Sequence, residues 1–206
     1  VPPVLAGDSE ELQKMYAHVW HWHRGLSGPD TLPVSNGRAP AELLAVLRSE
    51  RERDAIAAAY DLAAFGSEVV DGLLQVLGDE AEMTRRHAAY ALSAVGAAAV
   101  GPLVGSLRHA DSAVRADTAT VLGDIGLAAA EAVPALIEAT RDTDEQVRRR
   151  SAEALGTVSQ DGSLAVPVLI DVLADEDASA RQAAAMSLAR LGPHAAEAVE
   201  ALEGVL

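Results

Sequence analysis

The chain has 206 residues, half of them apolar but only 3% aromatic, and 16 basic against 31 acidic residues leave a net charge of −15. That balance excludes a general affinity for nucleic acid or anionic lipid, because both need clustered Lys and Arg to displace counterions. There is no cysteine, which excludes disulfides, thiolate metal sites and a Cys nucleophile and fits a cytoplasmic protein. An apolar content dominated by Ala, Leu and Val points to closely packed helices rather than a β-sandwich. No apolar run approaches the ~20 residues of a membrane helix, and no signal sequence opens the chain.

The chain starts Val1-Pro2-Pro3 and reaches its first methionine at Met15, so a processed chain or a piece of a longer one is expected. Asp8 and Glu11 have the spacing of a capping box. From there Leu12, Met15, Tyr16, Val19 and Trp22 or His23 follow helical spacing, which predicts a helix within residues 1–25. The run HVWHWHRG, His18 to Gly25, concentrates His18, His21 and His23 with both tryptophans. His18 and His21 are neighbours on a helix, but catalytic zinc needs three protein ligands with a supporting shell. The cluster therefore reads as packing, with no metal. Residues 26–39 are rich in Gly, Pro, Ser and Asn and read as a linker.

Residues 40–206 repeat. LLQVL ends at Leu77, LVGSL at Leu107, LIEAT at Thr140 and LIDVL at Leu173, at steps of 30, 33 and 33 residues. A second series, AAYALSAVG, TATVLGDIG, AEALGTVS and AMSLARLG, runs out of phase with the first. Each unit thus predicts two helices. Pro102, Pro134 and Pro167 fall in the first turns of the first helix, where a missing N–H costs little. Asp111, Asp144 and Asp177 stand where they would cap the second helix, with Arg115, Arg148 and Arg181 four residues on. In the unit before these, Arg85 keeps the arginine but Ala81 replaces the aspartate. Gly66, Gly96, Gly126 and Gly192 end the second helices, where a left-handed residue is wanted.

This Pro…Asp-x-x-x-Arg…Leu-Gly pattern resembles the HEAT-repeat family, in particular the short HEAT-like repeats of phycobilisome lyases. The resemblance implies an all-α, right-handed α-solenoid of about five helix pairs, with the N-terminal helix separate and the Asp and Arg serving structure. A Trp-rich helix, a linker and HEAT-like repeats are also similar to the C-terminal region of phytanoyl-CoA-dioxygenase-like proteins. Their iron-binding His-x-Asp…His motif has no counterpart here.

In the family the second helices line a concave groove. Counting from Val114 as a buried position, residues at +2, +3, +6 and +10 are expected to face it. This selects Tyr60, Arg86, His87 and Tyr90 as an aromatic and cationic patch of the kind favoured at binding hot spots. Further along it selects Asp117, Arg149, Arg150, Glu153, Met186 and Arg190. The function expected is a non-catalytic scaffold with no cofactor, binding a protein or peptide partner, and not nucleic acid or membrane. The alternative is the non-catalytic part of a larger enzyme, either an oxygenase of the type above or a bilin lyase subunit. Gripping duplex DNA would need a continuous basic groove, which the aspartates of the middle repeat interrupt.

Overall fold

A computed structural model describes residues 38–49 and 51–198. The expected N-terminal helix, its histidine cluster, nearly all of the linker and the chain after residue 198 lie outside the described residues. Every element within them is helical, and the chain divides into two compact units, one up to Gly96 and one from Ala97.

In the first unit, α1 (Pro40–Val46) pairs with α2 (Glu52–Ala63), and α3 (Val70–Leu77) pairs with α4 (Glu82–Val95). In the second, α5 (Val100–Ser106) pairs with α6 (Ser112–Ile125), α7 (Val133–Ala139) with α8 (Glu145–Val158), and α9 (Ala165–Val172) with α10 (Ala178–Leu191). Within each unit second helices stack on second helices, α2 on α4 and α6 on α8 on α10, while first helices meet first helices, α1 with α3 and α7 with α9. The helical pairing and the absence of strands among the described residues agree with the 30- and 33-residue periodicity.

At least one leucine from each described α-helix is fully buried. Leu43, Leu62, Leu73 and Leu92 do this in the first unit; Leu103, Leu122, Leu136, Leu155, Leu169 and Leu188 do it in the second. A helix of seven or eight residues is too short to persist alone, so the first helices exist because this apolar seam covers them. Two stretches, Glu82–Ser106 and Ser112–Ala139, have the length and hydropathy of a membrane span, against the expectation that no run comes near it. Each is two helices and a short 3-10 turn, broken at Gly96 or Gly126, rather than one continuous rod.

Asp111, Asp144 and Asp177 cap their helices as expected: each carboxylate accepts from a backbone N–H two or three residues on, at 2.8–3.2 Å. The glycines at the other end differ from expectation. Gly96 and Gly126 have φ 71° and 69° with ψ −135° and −140°. This is the mirror of extended backbone rather than the left-handed helical region, and a Cβ is more strongly disfavoured there. It lets the chain leave α4 or α6 and enter a 3-10 turn at once.

Second helices in the second unit approach closely through small side chains. A Cβ built on Gly123 would lie 3.1 Å from Ala154 Cα, and one on Gly156 would lie 2.6 Å from Ser187. Two side chains bind backbone across these seams: Thr157 Oγ1 donates to Gly123 O at 2.9 Å, and Ser187 Oγ to Ala152 O at 2.8 Å.

Candidate partner-binding surface

At the turns between paired helices the recurrent arginines do two jobs. Arg115 Nη1 donates to the carbonyls of His109 and Ala110, at 2.8 and 3.1 Å, closing its own turn. Its Nε and Nη2 donate to Asp142 of the following repeat, both at 2.8 Å. Arg148 repeats the arrangement, binding the carbonyls of Asp142 and Thr143 and forking onto Asp175 at 2.8 and 3.0 Å. Arg85 and Arg181 hold their own turn carbonyls in the same way. In the first unit Arg48 donates to Asp79 at 2.9 Å.

The acceptor in this ladder is not the capping aspartate but the residue two positions before it. Asp79, Asp142 and Asp175 also accept the N–H of Ala81, Asp144 and Asp177, respectively. In the α5–α6 turn His109 holds that position and accepts the Asp111 N–H through Nδ1 at 3.1 Å, and in the α1–α2 turn Ser49 Oγ accepts the Arg51 N–H at 3.2 Å. Hydrogen bonds from Arg115 and Arg148 hold the carboxyls of Asp142 and Asp175 below the usual range. A backbone N–H, helped by Arg48, does the same for Asp79. An open depression bordered by Asp142, Thr143, Arg148, Asp175 and Glu176 is lined by this ladder, so its charges are committed to one another.

Residues at the +2, +3, +6 and +10 positions of the second helices divide by unit. In the first unit Tyr60 is 9% exposed and His87 is 2% exposed. Burial pushes the Tyr60 hydroxyl up to about 12. His87 turns back toward the preceding repeat, where its Nδ1 lies 3.2 Å from Leu47 O. With the carbonyl as acceptor, Nδ1 carries the proton, and Nε2 is buried without a partner among the described residues. Burial holds this imidazole below the ordinary histidine value. Arg86 and Tyr90 are half-buried; Arg86 Nη2 lies 3.3 Å from Glu52. The patch is therefore layered: Arg86 and Tyr90 are partly exposed, whereas Tyr60 and His87 are buried.

The second unit presents more. Arg149, Arg150 and Glu153 on α8 are half-buried, and Arg190 on α10 is exposed. Met186 is 53% exposed, an apolar side chain left in water on a second helix. Arg150 Nη1 pairs with Glu153 at 3.0 Å. Asp117 on α6 is half-buried.

Paired helices stacked first-on-first and second-on-second define an α-solenoid. A family model described as HEAT repeats matches residues 40–110, 102–189 and 133–206. The chain belongs to the HEAT-repeat family. It is similar in fold to a structure of the complex of CpcE and CpcF of phycocyanin lyase from Nostoc sp. PCC7120, at 22% identity and TM-score 0.56, over 72% of this chain and 97% of that one. It is also similar to a structure described as the structural basis of microtubule plus end tracking by XMAP215, CLIP-170 and EB1, at 18% identity and TM-score 0.52, over 91% and 88% of the two chains. No curated protein matches it.

Proposed function

We propose that this chain is a non-catalytic interaction module that holds a protein partner along the solvent-facing side of its second helices. The observation that carries the reading is the exposure of Met186 at 53%, beside exposed Arg190 and half-buried Arg149, Arg150 and Glu153. Apolar area flanked by arginine is the composition of a binding hot spot. In the first unit Arg86 and Tyr90 are the partly exposed members of the corresponding second-helix positions.

The depressed carboxyls of Asp142 and Asp175 have a structural cause, the forked arginine on each. This supports a scaffold rather than acid–base chemistry there. The test is photo-cross-linking, with a benzophenone amino acid placed at Met186 or, for comparison, at Leu164, which is 61% exposed on the first-helix side. A captured partner should cross-link from position 186 and not from 164. The opposite pattern would put the binding surface on the first helices and sink the reading.

A further inference from the structure

Charge is unevenly distributed within the second unit. The described first-helix side carries exposed Glu131, Glu138 and Asp171, with Arg108 paired to Glu138 and Arg141 at the end of α7. The α8–α10 face carries Arg149, Arg150 and Arg190 against Glu153 and, one turn before Arg149, Glu145. No ion pair is found for Arg149 or Arg190 among the described residues, and Arg149 Nε is buried there without a hydrogen-bond partner. In a chain of net charge −15, this face has the opposite sign to the whole.

We propose that the α8–α10 face takes an extended acidic segment of a partner protein, with carboxylates flanking one aliphatic side chain. The inference rests on the reading of the second-helix side as the binding surface and names what binds it. The spacing supports a short peptide. Ser187 packs against Gly156 and binds Ala152 O, so α8 and α10 run side by side with Met186 about one turn beyond the level of Arg149 and Arg190 one turn further. Two turns rise about 11 Å, and neighbouring helices lie roughly 8–10 Å apart. The diagonal from Arg149 to Arg190 is thus about 14 Å, the reach of roughly four or five extended residues. Carboxylates at the two ends would meet the two arginines, and a side chain between them would cover Met186. Arg150, already shared with Glu153, contributes less. Phosphate backbones fit this face poorly, because Asp117 and Asp124 on α6 continue it with negative charge.

The test is fluorescence anisotropy of the full chain with a labelled ten-residue peptide carrying glutamates on both sides of a single leucine. A glutamine counterpart, a lysine counterpart and a single-stranded oligonucleotide of equal length complete the set. The acidic peptide should bind best and weaken as salt rises. Arg149→Glu with Arg190→Glu should weaken it roughly tenfold or more. The milder Arg149→Gln with Arg190→Gln should weaken it less while keeping wild-type helical circular dichroism. Equal binding of the glutamine peptide, tighter binding of the oligonucleotide, or indifference to both arginine variants would overturn the proposal. A partner that cross-links from position 186 while the acidic peptide fails to bind would overturn this inference and leave the binding surface standing.

Discussion

The ladder pair Arg148–Asp175 offers a quantitative test of how adjacent repeats are held. The two side chains are 10% and 11% exposed, far drier than a surface ion pair, and share two hydrogen bonds. Exposed pairs contribute roughly 0–1 kcal/mol, whereas removing one partner of a buried pair costs about 3–5 kcal/mol. This pair sits at the edge of the stack, so about 2–4 kcal/mol is expected for Asp175→Ala. Part of that comes from the Asp177 N–H, which Asp175 accepts at 2.8 Å. Arg148→Ala should cost at least as much, because it also releases the carbonyls of Asp142 and Thr143. In a double-mutant cycle the coupling should be about 1.5–3 kcal/mol, the range for charge-assisted hydrogen bonds. Urea denaturation followed by circular dichroism reads it, provided the slope is unchanged among variants. The pair also sets a pH dependence. Asp175 is depressed in the native state, so its stabilisation is full above the ordinary carboxyl value and is lost as pH falls through the native value. A coupling below about 0.5 kcal/mol would show the fork to be as weak as an exposed pair and would refute the reasoning.

Gly156→Ala should destabilise by about 1–3 kcal/mol in the same assay, because its Cβ would lie 2.6 Å from Ser187. Gly101→Ala, with nothing within 4 Å, should be neutral or stabilise by up to about 1 kcal/mol. Acid should weaken the first unit through His87: its native value is depressed by burial, so the unfolded chain binds the proton first and stability falls as pH drops below about 6.5. Hydrogen exchange of α4 at pH 7 and pH 5 checks this, with His87→Gln expected to flatten the difference. Tyr60→Ala should cost about 2–4 kcal/mol as a core truncation, and Tyr90→Ala clearly less, read from urea midpoints. Equal costs would place both rings in the packing.

Much of the fold was legible because local signals repeat. Prolines in the first turns, aspartates at 111, 144 and 177 and glycines at 96 and 126 mark helix ends in sequence, and each acts where the spacing placed it. The ladder acceptors were missed although Asp-Thr-Asp at 142–144 and Asp-Glu-Asp at 175–177 display them, since capping alone accounts for one carboxylate and gives no reason for a second. The second explains the irregular turns. At Asp79–Ala81 the ladder carboxylate is kept and the cap is lost; at His109–Asp111 the cap is kept and the carboxylate is lost. Helical periodicity located the second-helix side but not which members of it reach water. That depends on how one second helix lies on the next, as with His87 turning back to Leu47 O, and a single helix's pattern carries no information on that offset.

The most direct measurement of the central claim is hydrogen–deuterium exchange of the full chain with and without a captured partner. Added protection is expected in α8 and α10, around Arg149 and Met186, with α7 and α9 unchanged. Protection confined to α7 and α9 would contradict it.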